Sequence, residues 1–119
     1  MQPDAPKLLE DIRDAAAFIA DVTRGIAQDE YIRNRMLRQS VERNFEIIGE
    51  AMRRLAQRAP TTAPRITGYA QIIAFRNLLI HGYDLVDHRV VWKVIQRDVP
   101  FLLAEVVALL TPDEGVDKA

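Results

Sequence analysis

Apolar residues recur every three to four positions along most of the chain, and strand-like alternation persists nowhere. Leu8, Ile12, Ala16, Ile19, Val22 and Ile26 form one such stripe and predict a first helix over residues 6–27. Gly25 weakens its last turn, because glycine is a poor helix former. Asp29 is placed to cap a second, long helix over residues 30–58, with a break near Asn34. Its inward stripe reads Leu37, Val41, Phe45 or Ile48, Met52 and Leu55. Pro60 stops it, since the residue before a proline avoids helical geometry. The Pro/Thr-rich stretch 60–65 is a loop, and Thr67-Gly68 turns into a third helix over 69–81. Gly82 suits the left-handed position that often closes a helix. Asp87 caps a last helix over 88–110, and Pro100 inside it predicts a kink near Val99. The expectation is an all-α bundle of four to five helices, the last one kinked, with residues 111–119 a flexible tail.

The 119 residues fit one domain spanning 1–119. Hydrophobic residues make up 49% and charged residues 28%, a composition that folds rather than stays disordered. The absence of cysteine excludes disulfides, thiol nucleophiles and cysteine metal sites. No apolar run approaches the roughly 18 residues of a membrane span, and the polar start lacks a basic-then-apolar signal pattern. These features lead us to expect a soluble, cytoplasmic protein without a membrane partner.

Charge changes the picture through its distribution. The net charge is −1, which argues against a generic nucleic-acid coat. Residues 31–76, however, hold nine arginines against three glutamates. That block is either a solvated helix face or a phosphate-attracting surface.

The block ends at the densest chemistry in the chain, Arg76-Asn77-Leu78-Leu79-Ile80-His81-Gly82-Tyr83. Arginine grips phosphate oxygens through a planar fork of donors, and histidine moves protons near neutral pH. Together they suffice for ribonucleotide cleavage: His81 as general base or acid, Arg76 stabilising charge at phosphorus. The product would be a 2′,3′-cyclic phosphate, and DNA would resist for lack of a 2′-hydroxyl. No carboxylate shows metal-ligand spacing with a histidine, so neither a metal nor a cofactor is implied. On a helix Arg76 and His81 stand about 140° and roughly 7.5 Å apart, off any common stripe. Two copies across a two-fold axis could bring both sets together. The plainer reading gives Arg76 a capping or packing role and places His81 at a helix C-terminus favoured by the dipole. His88, in the first turn of the last helix, reads as a packing or surface residue.

The Arg-x4-His-x-Tyr segment resembles the signature of HEPN-domain proteins of the HepT-like (DUF86) group. Two further segments carry the likeness: Val41–Ala51, similar to that group's "RNLEIIGEA" helix, and Val91–Pro100, similar to its "IVWDIVQNDLP" stretch. The likeness covers residues 7–107 with the three segments in order. The loop at 60–68 departs from the family pattern, with Tyr69 in place of a usual tryptophan. The resemblance implies the toxin of a type VII toxin–antitoxin pair whose partner is a minimal nucleotidyltransferase (MNT) antitoxin. It implies a metal-independent RNase acting as a homodimer or higher homo-oligomer, with Arg76 and His81 catalytic and Asn77 supporting. It also implies AMPylation of Tyr83 by the antitoxin as the means of inhibition. The alternatives are a non-catalytic nucleotide- or partner-binding subunit of a nucleotidyltransferase complex, and a purely structural dimerising bundle. Arg43, Glu46 and Glu50 share one helical stripe, either bracing the motif helix or forming a solvated ion-pair ladder.

Overall fold

A computed structural model describes residues 3–111, which fold entirely into helices, turns and short connections. Helix α1 (Ala5–Thr23) starts with Pro6 in its first turn, where a missing N–H costs nothing. It buries Leu8, Leu9, Ile12, Ala15, Ala16 and Ile19. It ends at Thr23, four residues before the periodicity suggested. Gly25 takes a left-handed φ of 77°, and the buried Thr23 hydroxyl donates to the Ile19 carbonyl at 2.7 Å. The apolar stripe runs on through Ile26, but the backbone has already turned.

Helix α2 (Gln28–Arg33) is a short connector. Ala27, not Asp29, is its N-cap, and Asp29 lies inside the first turn, where a carboxylate suits the helix dipole. The break expected near Asn34 is complete. Asn34 leaves helical geometry and its side-chain oxygen accepts from the Leu37 N–H at 3.0 Å, capping α3 (Arg35–Arg58). Val41, Phe45, Ile48, Met52 and Leu55 of α3 are buried, while Leu37 is only partly covered.

Helix α4 (Tyr69–His81) follows the 60–68 loop, which Glu105 ties down by accepting from the Thr67 N–H at 3.0 Å and its hydroxyl at 2.8 Å. Gly82 closes α4 with φ −118°, so it is not the left-handed residue anticipated. A 3-10 turn at Tyr83–Leu85 follows directly, and that path needs no left-handed step. Asp87 caps α5 (His88–Lys93) through the Arg89 N–H at 2.9 Å. The rod then passes through a π-turn at Val94–Asp98 into α6 (Val99–Leu110). The disturbance expected from Pro100 is this wider turn. The Val99 N–H reaches back five residues to the Val94 carbonyl, which shifts the ladder just ahead of the donorless proline. The expected tail lies outside the described residues except for Thr111, which closes α6 with its N–H on the Val107 carbonyl at 3.0 Å.

Helix α1 is the central element, packed on α3 along one side and α6 along the other, and α4 lies against α3. Phe45 and Phe75 join α3 to α4 edge to face, with ring centroids 5.1 Å apart. Tyr31 of α2 stacks on Trp92 of α5 at 5.4 Å. No helix among the described residues is long and apolar enough to cross a membrane.

Candidate ribonuclease site

Helix α4 carries the site, and its composition is unusual. It is apolar on all sides, yet only Leu79 is buried, because α3 is its main neighbour. A helix apolar all round is expected to be covered all round.

Arg76 leaves the inner side of α4 and enters a polar groove with Asp11 of α1, and Arg43, Glu46, Glu50 and Arg54 of α3. Leu8, Ile47, Ala51 and Ile80 line its apolar part. The side chain is 23% exposed, so its stem packs while its head meets solvent. Its Nη1 donates to the Asn77 side-chain oxygen at 3.0 Å, and its Nη2 lies 3.4 Å from Glu50 Oε1. Its Nε is buried without a hydrogen-bond partner.

Glu50 is the hub. Arg53 donates to it through Nε at 3.0 Å and Nη2 at 2.7 Å, and Arg54 through Nε at 3.0 Å. These bonds, Arg53 first, hold the Glu50 carboxyl down to about 2, against partial burial that pulls the other way. One carboxylate thus gathers three guanidiniums, and the cluster keeps an excess of positive charge. The choice left open for the 43–46–50 stripe is resolved residue by residue. Glu50 braces the motif helix through Arg76, whereas Arg43 and Glu46, at 3.5 Å, are a surface pair. Arg53 and Arg54 were not picked out from the sequence as partners of Glu50. Their i+3 and i+4 spacing from it was the available signal.

His81 ends α4 exposed and is not among the residues lining the Arg76 groove. Tyr83 stands in the following turn, 78% exposed. One protomer therefore joins Arg76, Asn77 and Glu50 but leaves His81 and Tyr83 outside their groove. The cause is helical geometry, which turns the two motif residues to different sides of α4.

His88 packs as expected of a non-catalytic residue. It is partly buried, with Nδ1 3.9 Å from Glu42 Oε2. Burial raises the Glu42 carboxyl, against the pull of His88. Burial likewise raises the Tyr31 hydroxyl, with Glu42 adding to the effect. Among the described residues, no group of three or more His, Asp and Glu is placed to hold a metal ion.

Comparison with known proteins places the chain among ribonucleases by sequence. The family model described as "Ribonuclease HepT-like" matches residues 12–109. The chain is 35% identical to "Putative RNase MJ1380" of Methanocaldococcus jannaschii, over 87% of this chain and 94% of that protein. It is 35% identical to "Probable ribonuclease HepT" of Thermococcus cleftensis, over 79% of this chain and 84% of that one. A further relative, "Putative RNase TTE0752" of Caldanaerobacter subterraneus, is 27% identical over 89% of this chain and 94% of its own length. No solved structure matches the chain significantly. The chain, an all-helical bundle, belongs to the HepT-like ribonuclease family.

Proposed function

We propose that the protein is an endoribonuclease toxin of a toxin–antitoxin pair, and that it cuts RNA without a metal at a site built from two copies of the chain. The observation that carries this reading is Arg76, anchored by Glu50 and Asn77 in a polar groove, within a ribonuclease family. His81 accepts the 2′-hydroxyl proton, the 2′-oxygen attacks phosphorus, and the 5′-oxygen leaves with a proton returned to it. Arg76 stabilises the charge gathered on the phosphoryl oxygens. The products are a 2′,3′-cyclic phosphate and a 5′-hydroxyl.

The need for a second copy follows from the separation within one protomer. Support comes from the apolar surface around the motif: Leu78, Tyr83, Leu85 and Val90 are 43%, 78%, 76% and 51% exposed. Apolar side chains left in solvent at and after the motif suit a contact surface. A homodimer that covers it brings the partner's motif helix beside this one, since an isologous contact pairs a surface with itself.

The partner is a minimal nucleotidyltransferase antitoxin. The Tyr83 phenol is open to it, and its oxygen attacks the α-phosphorus of ATP, releasing pyrophosphate and leaving AMP on the ring. The added phosphate places negative charge beside the motif and competes with RNA.

The test is expression with and without a neighbouring nucleotidyltransferase gene, followed by RNA cleavage in EDTA and by intact mass. The expected result is cleavage by the protein made alone, and loss of cleavage with one or more AMP on Tyr83 after co-expression. Failure of the protein made alone to cut RNA or harm cells overturns the reading. The second reading is a non-catalytic nucleotide-binding subunit, favoured by His81 not lining the Arg76 groove. It requires ATP-analogue binding by calorimetry with no turnover of RNA.

A further inference from the structure

We propose that Gly49 and Glu50 of α3 are positioning residues for Arg76, Gly49 leaving room for its stem and Glu50 holding its head. The proposal rests on the ribonuclease reading for its purpose, and on the helix contact for its geometry.

Gly49 lies within α3, where glycine is the poorest helix former after proline. Its φ is not positive, so backbone conformation does not demand it. What demands it is α4. A Cβ at position 49 would lie 2.1 Å from Arg76 Cβ and 2.6 Å from Arg76 Cγ, with Arg76 Cα at 3.4 Å. These are the first atoms of the arginine stem, fixed to the α4 backbone, and they cannot swing aside as a side-chain tip could. Position 49 is therefore a notch into which position 76 fits, and α4 approaches α3 there more closely than any side chain would permit.

The notch and the hub are consecutive residues. With the stem seated at Gly49, the guanidinium emerges level with Glu50, its Nη2 3.4 Å from Oε1. The Asn77 oxygen takes Nη1 at 3.0 Å. Glu50 is held by Arg53 and Arg54, so it is a fixed post. Arg76 is thus constrained at both ends, and a long side chain that would otherwise lose much rotamer freedom on gripping phosphate is ordered in advance. Adding a methyl at 49 forces the helices apart and lifts the guanidinium away from its post. The distance need not be large, since a displacement of about 1 Å in a positioning element costs on the order of 100-fold in rate.

Two measurements on the full chain test this. The first needs no RNA. In the wild-type background, Gly49→Ala lowers the melting temperature by about 5 °C or more. In an Arg76→Gly background, where no Cβ opposes it, the same change leaves the melt unchanged or raises it, alanine being the better helix former. Equal loss in both backgrounds overturns the notch. The second is cleavage. Glu50→Ala lowers kcat about 100-fold with KM little changed, the size expected for a misplacement of about 1 Å in a positioned group. Glu50→Gln, which keeps an acceptor, recovers part of that rate. Neither change lowers the residual rate further when added to Arg76→Ala. Wild-type kcat in folded Glu50→Ala overturns the post. A wild-type protein that cuts no RNA overturns the ribonuclease reading instead, and the melting cycle then decides whether Gly49 seats Arg76.

Discussion

The two sides of α3 are built for different purposes. On one side α1, with α6 beyond it, forms a closed core in which Ile12, Ile19, Met52 and Val106 are fully buried. On the other, α4 has one buried residue, and Leu85 and Val90 after its motif stay in the open. The first side holds the protomer together by removing apolar surface from water, on the order of 1.5–3 kcal/mol for each large side chain. The second spends sequence on surface the protomer does not use. The contrast shows that the buried core and the motif helix lie on different sides of α3. The motif is mounted on a helix with one buried residue of 13, and the proposed second copy would reach it there.

That separation predicts opposite outcomes for substitutions on the two sides. His81→Ala, on the open side, lowers RNA cleavage by about 100- to 10,000-fold, the range for losing a general acid or base. The melting curve hardly moves, because the residue is exposed. A melt that falls together with activity would make His81 a structural residue and collapse the distinction. Met52→Ala, on the closed side, destabilises by about 2–5 kcal/mol in denaturant unfolding. Its folded fraction retains wild-type kcat.

Leu85→Glu sharpens the comparison further. It puts charge on a 76%-exposed residue beside the motif, so protomer unfolding stays nearly as it was. Light scattering shifts from dimer toward monomer, and cleavage falls with it. Monomer with full activity would remove the two-copy site.

The smallest effect is in acid. The folded Glu50 carboxyl sits at about 2, below its unfolded value of about 4.3. A depressed carboxyl stabilises fully above the unfolded value, and loses that contribution as pH falls toward the folded one. The melting difference between wild type and Glu50→Gln is therefore flat from pH 8 to pH 5, shrinks below about pH 4.3 and disappears only below about pH 2. A difference that changes between pH 8 and pH 5 would mean that another group governs the hub.

Much of the fold was legible because burial imposes a period. The third helix runs over 69–81 as its pattern predicts, and the stripe from Val41 to Leu55 is buried as read. The misreadings share one cause. At Gly25, Asp29 and Gly82 the residue type permits more than one backbone path, and neighbours outside the local window choose among them. The site was legible as residue types and as a resemblance, in Arg76, Asn77, His81 and Tyr83. Its inner half was read only as a choice between a brace and a solvated ladder along Arg43, Glu46 and Glu50, since Glu50 lies 26 positions before Arg76 and periodicity carries no information about which helix it faces.

By itself the chain determined that it is helical, which faces of α1 and α3 turn inward, and that an arginine, a histidine and a tyrosine fall within one helix and the turn after it. These follow from side-chain chemistry and a 3.6-residue period, both local. Only the tertiary structure decided that Glu50 meets Arg76 and that Gly49 lies beneath its stem. Such contacts depend on where two helices cross, and the crossing is set by close packing along their whole length.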